Sequence, residues 1–215
     1  MKIDELFRFQ SIAQATSLQR DMASKVVPVD NSGFKPRLMC GMDVAYDGES
    51  AFVAAVVWDA EQKRFVEKAG AKETANQKYI PGFLGFREGP LLVSIARKLR
   101  LTPDVFFVDG QGVAHPRRFG LASHFGLAVE KPAVGVAKSL LYGKPQKESI
   151  VDPDGRDIGR IISVDNGKKF YVSVGHRISL ETAVRLTEGC TFNNHPLPLR
   201  QAHLDSVRMK GSPNL

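Results

Sequence analysis

The chain has 215 residues and a formal net charge of +7, with 25% charged and 43% hydrophobic residues. This composition excludes a disordered chain, and the length predicts one domain spanning residues 1–215. No apolar run approaches the roughly 20 residues of a membrane span. The two cysteines, Cys40 and Cys190, are too few for a disulfide scaffold, so we expect a cytoplasmic protein. The basic charge favours a nucleic acid partner, although many proteins of this charge bind none.

The N-terminal part of the chain predicts one helix and three strands. The helix is expected to begin at Asp4, as its N-cap, and to end near Lys25. The Asp47-Gly48 pair separates two apolar runs and is typical of a β-hairpin. The strands are therefore expected as an antiparallel meander over residues 38–46, 51–58 and 64–72.

From residue 90 onward, helical and strand patterns alternate. A helix is predicted to begin at Pro90. Two short apolar runs on either side of a further helix are typical of strands buried on both faces, and this order implies parallel pairing. These elements are expected over residues 104–109, 119–129 and 133–137, followed by strands over 160–165 and 169–175 and helices over 179–188 and 199–209. The pattern predicts a mixed α/β sheet flanked by helices.

Three acids stand out by their positions. Asp43 lies inside an apolar strand, Asp109 ends another, and Glu88 precedes the helix predicted at Pro90. Each alone has an ordinary explanation: an acid of an edge strand, a turn cap or a helix-dipole acid. Because open α/β sheets place their sites at the carboxyl ends of parallel strands, the three together predict a site for Mg²⁺ or Mn²⁺.

A basic, glycine-containing loop follows the fourth predicted strand. Gly110 and Gly112 would let the backbone approach a ligand closely. His115 could contact a phosphate or position a water, and Arg117 and Arg118 could neutralise a nucleic acid backbone. A turn-rich crossover with solvated arginines explains the same residues equally well.

Two further features favour a phosphate-bearing ligand. Lys138 follows a buried strand, where it could hold a phosphate as a point charge or simply cap the strand at the surface. In the aromatic segment over residues 78–86, Tyr79 is the best candidate for exposure and for stacking between bases. We expect Phe83 and Phe86 to fold onto the core instead.

Four segments of the chain together form a recognisable pattern: GMDVAY (41–46), YIPGFLGFREGP (79–90), VDGQGVAHPRRFGLASHFGL (108–127) and PAVGVAKSLLYG (132–143). With these segments the chain resembles the endonuclease V family, nucleases directed at deoxyinosine. They cover the centre of the chain in the family's order. The resemblance implies a ribonuclease H-like fold, in which an antiparallel three-strand meander and parallel strands form one mixed sheet flanked by helices.

The resemblance also assigns the chemical residues. Asp43, Glu88 and Asp109 match the family's metal-binding acids, which implies Mg²⁺ as cofactor with Mn²⁺ as a substitute. His115 and Lys138 match a histidine and a lysine beside the scissile phosphate. The resemblance thus predicts a catalytic group made of these five residues.

The remaining matches concern the nucleic acid and the C-terminal helix. The RQAH segment that ends at His203 makes this histidine a candidate fourth residue of the metal site. Lys78 departs from the family, where we expect proline or another neutral residue. The expected DNA contacts are Arg117, Arg118 and a strand-parting wedge formed by Tyr79, Ile80, Pro81 and Gly82.

The activity implied by the resemblance is metal-dependent nicking of DNA at the second phosphodiester 3′ to deoxyinosine, which serves repair of deaminated adenine. The cut leaves a 3′-hydroxyl and a 5′-phosphate. The base is expected to turn out of the helix into a pocket with backbone donors at Gly82, Gly85, Gly110 and Gly112. Two alternatives stay open: another ribonuclease H-like nuclease, including one that cleaves inosine-containing RNA, and a non-catalytic nucleic-acid-binding module. We expect a monomer without membrane contact.

Overall fold

The computed structural model describes residues 3–165 and 167–211. Its strands are β1 (Leu38–Asp47), β2 (Ser50–Asp59), β3 (Arg64–Thr74), β4 (Val105–Val108), β5 (Ala133–Ala137), β6 (Lys144–Gln146), β7 (Ser149–Val151), β8 (Asp157–Ser163), β9 (Lys169–His176), β10 (Thr191–Phe192) and β11 (His195–Pro196). A 3-10 helix (Ile3–Phe7) precedes the α-helices, which are α1 (Ile12–Ala23), α2 (Leu84–Ala96), α3 (Leu121–Val129), α4 (Leu180–Gly189) and α5 (Leu197–Lys210). No helix in this described part is long and apolar enough to cross a bilayer.

Nine of these strands form one mixed sheet in the order β3-β2-β1-β4-β5-β9-β8-β7-β6. The meander β1-β2-β3 is antiparallel, β1, β4 and β5 are parallel, and β9 returns antiparallel beside β5. This arrangement confirms the predicted fold class. The short strands β6, β7, β10 and β11 escaped prediction because two or three residues carry no readable alternation. One domain over residues 1–215 stays a prediction.

The central strands are buried on both faces of the sheet, as their continuous apolar runs predict. In β4, Phe106 and Val108 join the core beneath α2 and α3, whereas Val105 and Phe107 join the core on the opposite face. Successive side chains of a strand point to opposite faces, so each layer takes every second residue. Both layers therefore hold β4 in place at the centre of the molecule.

The helix predicted from Asp4 to Lys25 is wrong in its first half. The chain forms the short 3-10 helix and then enters α1 at Ile12. Ser11 is the N-cap of α1, and its side chain accepts a hydrogen bond from the backbone N–H of Gln14 at 3.2 Å. A serine cap satisfies an otherwise unpaired donor, which fixes the helix start at this residue. The side chain of Asp4 lies outside the described part of the chain.

The helix predicted at Pro90 begins six residues earlier, at Leu84, so Pro90 lies inside α2. Proline removes one intrahelical hydrogen bond, but close packing holds the helix in this place. A Cβ at Gly85 would lie 2.7 Å from His124, and one at Gly89 would lie 2.2 Å from Phe7. These contacts explain the difference, and they place Glu88 within the helix instead of ahead of it.

Candidate active site

Asp43 and Asp109 are neighbours across the parallel pair β1–β4. Met42 lies opposite Val108 in the register of this pair, so the next residue of each strand is an aspartate. The backbone N–H of Asp109 continues the pairing by donating to the Met42 carbonyl at 3.4 Å. Asp43 is nevertheless in the middle of β1, because that strand continues to Asp47 in its pairing with β2. The two carboxylates thus meet where the parallel pairing ends.

Glu88 reaches the same place from α2. Burial raises the pKa of its carboxyl to about 8, and repulsion from Asp43 and Asp109 adds to the shift. The hydroxyl of Tyr46 makes no well-formed hydrogen bond to a described residue, but it lies near enough to Glu88 to oppose the shift. Sequence reasoning did not single out Tyr46. The three acids therefore form one electrostatically coupled group.

Lys138 meets this group from the end of β5. Its Nζ donates to Asp109 Oδ2 at 2.6 Å. Burial lowers the pKa of the lysine, but attraction to Asp109 and Asp43 outweighs burial and the pKa is raised. The pKa of Asp109 is raised as well, but here burial is the main cause. The nearby Asp43 adds to this rise, and Lys138 opposes it. The lysine is charged and sits beside the acids, as a phosphate-binding role requires.

Helix α5 holds the other side of Asp43. His203 Nδ1 lies 3.2 Å from Asp43 Oδ2, and the buried Ser206 hydroxyl donates to the same oxygen at 2.6 Å. The helix comes this close because Gly41 has no side chain: a Cβ there would lie 2.1 Å from the Pro198 carbonyl carbon. Ser206 was not predicted. Its spacing from His203 was the available indication, since residues three apart share one face of a helix.

The wedge segment, residues 79–82, lies between β3 and α2. Tyr79 is 63% exposed, as expected, and Ile80 packs against the core. Gly82 adopts a φ of +79°, which favours glycine. Its carbonyl accepts hydrogen bonds from Gln19 Nε2 at 3.1 Å and Arg117 Nη2 at 2.6 Å. A third polar partner, the ring of a buried histidine, completes this anchor.

That histidine is His115, whose Nε2 lies 3.0 Å from the Gly82 carbonyl oxygen. Its Nδ1 accepts the backbone N–H of Arg117 at 3.2 Å, so the proton of the neutral ring is on Nε2. Burial lowers the pKa of His115 to about 4, and the charge of Arg117 lowers it further. The structure places His115 beneath the wedge segment. Its expected phosphate contact stays a prediction.

Both arginines of the loop make contacts within the protein. The Arg117 guanidinium lies 4.3 Å from the centre of the Phe83 ring, and its Nε donates to Gln19 Oε1 at 2.6 Å. Arg118 forms an ion pair with Asp152. Gln19, which sequence reasoning missed because it lies in a distant helix, therefore ties Arg117 and the wedge segment together. Phosphate contacts by the arginines stay predictions.

A cavity of about 260 Å³, the glycine cavity, opens beneath Tyr79 and reaches Asp109. Three of the four predicted pocket glycines line it, together with Asp109 and Lys138: they are Gly82, Gly85 and Gly110. Gly112 does not. Its N–H donates to Ser173 Oγ at 2.9 Å, and a Cβ at Gly112 would lie 1.9 Å from the Val174 carbonyl oxygen. This glycine is required for packing against β9.

The donor set at the acids suits a hard divalent cation. Across residues 3–165 and 167–211, no three Asp, Glu, His or Cys side chains form a ready-made ligand cluster, and Lys138 holds Asp109. Yet carboxylate oxygens are the preferred ligands of Mg²⁺ and Mn²⁺. Burial and mutual repulsion disfavour the charged forms of Glu88 and Asp109, and a bound cation would relieve both effects.

Comparison with known proteins gives concordant results. The model of a family described as Endonuclease V matches residues 20–204. Endonuclease V of Protochlamydia amoebophila is 36% identical over 208 residues, covering 90% of this chain and 88% of the relative. Endonuclease V of Rhodospirillum centenum is 40% identical over 207 residues, covering 89% and 85%.

Solved structures agree in fold. The crystal structure of human ENDOV superimposes with a TM-score of 0.86 at 30% identity, covering 94% of this chain and 100% of that one. Ciona intestinalis endonuclease V, in complex with a 24mer DNA containing an inosine followed by a ribo-adenosine, gives a TM-score of 0.87 at 28% identity. That match covers 93% of this chain and 98% of the other.

Proposed function

Because the chain belongs to the endonuclease V family, we propose that it nicks DNA at the second phosphodiester 3′ to deoxyinosine, leaving a 3′-hydroxyl and a 5′-phosphate. One observation carries the proposal. Asp43 and Asp109 lie side by side across β1–β4, and Lys138 and Glu88 meet them beside a cavity that Tyr79 borders. Family membership favours this reaction over another ribonuclease H-like nuclease and over a non-catalytic binding module.

The chemical centre consists of the three acids and Lys138, and each side chain has its own role. Asp43, Glu88 and Asp109 would hold Mg²⁺, or Mn²⁺ in its place, with His203 as the candidate fourth residue. When bound, the cation supplies positive charge that stabilises the reacting phosphate, and it lowers the pKa of a water. The Lys138 ammonium, exposed on one side, neutralises a phosphate oxygen of the incoming strand. Ser206 fixes the orientation of the Asp43 carboxylate.

Recognition of the base falls to the glycine cavity and the wedge segment. At about 260 Å³ the cavity is smaller than the roughly 300–1,000 Å³ of sites for drug-sized ligands, so it suits a single flipped base. Gly82, Gly85 and Gly110 bring the backbone close to that base. Tyr79 takes the place that the base leaves in the duplex. Its exposure supports this role.

Inosine-containing RNA is a second candidate substrate. The Ciona intestinalis relative was crystallised with DNA in which a ribo-adenosine follows the inosine. A ribose directly 3′ to the inosine is therefore compatible with binding by that relative. For this chain, an inosine-containing RNA strand and its DNA counterpart should be compared in one assay.

The decisive experiment measures nicking of an end-labelled duplex with one deoxyinosine, against the same duplex with adenine. We expect cleavage of the inosine strand with Mg²⁺ or Mn²⁺ and none with a chelator. Ca²⁺ is larger and its coordination looser, so it should support specific binding with little cleavage. Undiminished cleavage in chelator would remove the metal-dependent mechanism. Equal cleavage of the adenine duplex would remove the specificity for inosine.

A further inference from the structure

A second and larger cavity, of about 680 Å³, opens on the other side of the Asp109–Lys138 pair. It lies between the end of β5, the start of β9, the β10–β11 hairpin and the first turns of α5. Phe170 and five basic side chains border this cavity, and we call it the basic cleft. The basic side chains are Lys138, Lys168, Lys169, His195 and Arg200. The proposed reaction assigns no role to this cleft beyond the shared Asp109, Lys138 and His203.

Positive charge converges on this cleft. Lys169 and Arg200 are exposed, and neither forms an ion pair with any residue in 3–165 or 167–211. The pKa of His195 is consistent with a positive local potential. Burial lowers this pKa, and the charges of Lys168 and Arg200 lower it further. These cations meet at one cavity instead of being dispersed over the surface, which is the pattern of a polyanion site.

The floor of the cleft is apolar. Phe170 is buried at its base, and its ring meets the His195 ring edge-on at 6.3 Å between centroids. Val136 and Leu199 extend the apolar surface. A cationic rim over an aromatic and aliphatic floor suits a nucleotide chain, because phosphates can lie at the rim while sugars and bases cover the floor.

We propose that the basic cleft binds the strand segment on the 3′ side of the scissile phosphodiester. Asp109 and Lys138 form a wall common to the glycine cavity and the basic cleft, so the two cavities flank the reacting groups. The assignment of direction rests on the proposed function. With the inosine base in the glycine cavity and the scissile bond 3′ to it at Asp109, the strand continues into the basic cleft in the 3′ direction.

The test uses two inosine duplexes of equal length, one with a long 3′ arm and one that ends just beyond the scissile phosphodiester. Binding of both is measured over a range of salt concentrations, in Ca²⁺, for the full chain and for the double variant Lys169→Ser/Arg200→Ser. On the long 3′ arm, the variant should lower the salt slope by about 1–2, as expected for one or two lost phosphate contacts. On the duplex with a short 3′ arm, the variant and the unchanged chain should bind alike.

The matched control is Arg64→Ser, which removes one exposed charge from the first residue of β3, an edge strand that lies five strand positions from β9 in the sheet. It should leave both slopes unchanged. An equal loss on both duplexes, or a loss only when the 5′ arm is long, overturns the assignment of the cleft to the 3′ segment. Nicking by the unchanged chain, measured in Mg²⁺ on the duplex with the long 3′ arm, tests the proposed function separately, so the two failures are distinguishable.

Discussion

The chemical centre, made of the three acids and Lys138, and the wedge segment both border the glycine cavity, yet they are built differently. The acids come from β1, from the residue after β4 and from α2, and side chains such as Ser206 and Lys138 hold them. The wedge segment forms neither helix nor strand. Ile80 packs against the core, and three side chains contact one main-chain carbonyl of the segment, that of Gly82. The centre therefore depends on the identity of its side chains, whereas the wedge segment depends on how its backbone is anchored.

The strongest test of this contrast removes a carboxylate charge from the chemical centre without changing the shape of the side chain. Asp43→Asn and Asp109→Asn should each lower the nicking rate by about a thousandfold or more, because several kcal/mol of transition-state stabilisation depend on these carboxylates. The melting temperature should change by only a few degrees. Asp47→Asn, an exposed acid at the end of the same strand β1, is the matched control and should nick normally. Near-normal turnover by either folded variant would contradict the site assignment.

The anchor of the wedge segment should show itself in the pH dependence of stability. The pKa of His115 is about 4 in the folded chain against an ordinary 6.5, so between these values the unfolded state binds more protons. Stability should thus fall as pH falls through this window, by up to roughly 3 kcal/mol from this residue. His115→Gln, which keeps a donor for Gly82, should lose less free energy of unfolding between pH 7 and pH 4. Identical pH slopes in denaturant unfolding would contradict a buried neutral ring.

The exposed ring of the wedge segment should matter for binding and little for folding. Tyr79→Ala should weaken binding of inosine DNA by about 1–3 kcal/mol, the range for one stacked aromatic, and Tyr79→Phe should lose less. Val29→Ala is the control, since Val29 is 58% exposed and lines neither the glycine cavity nor the basic cleft. Anisotropy titrations of the four proteins decide the matter. Equal losses in both Tyr79 variants would instead assign the effect to the hydroxyl.

The smallest expected effect concerns the support of Asp43. Ser206→Ala removes the hydroxyl that donates to Asp43 Oδ2 and should lower kcat about tenfold with little change in KM, as losses around metal ligands do. Ser123→Ala is a matched control, because Ser123 is also fully buried in a helix and its hydroxyl has no partner among the described residues. Equal kinetic effects of the two substitutions would show that Ser206 acts only through packing.

Much of the architecture follows from local pattern. Three features predict the mixed sheet: the continuous apolar runs of β4 and β5, the Asp47-Gly48 turn, and the alternation of helix and strand. They can be recognised in the sequence because burial on two faces and tight turns each select residue types within a few positions. The same pattern brings Asp43 and Asp109 together. Helix starts were harder to predict, since Ser11 and the contacts of Gly85 and Gly89 outweigh the features that favoured Asp4 and Pro90.

The supports of the site were decided only by tertiary structure. Ser206 lies 163 residues from Asp43 in the chain, and Gln19 lies 63 residues from Gly82. In the sequence, Gly112 was interpreted as a ligand-binding glycine. In the structure, β9 packs so close to its backbone that no side chain fits at this position. The physical reason is the same in each case. Periodicity and turn chemistry act over a few residues, whereas a hydrogen-bond partner or a close backbone approach exists only after distant elements have packed.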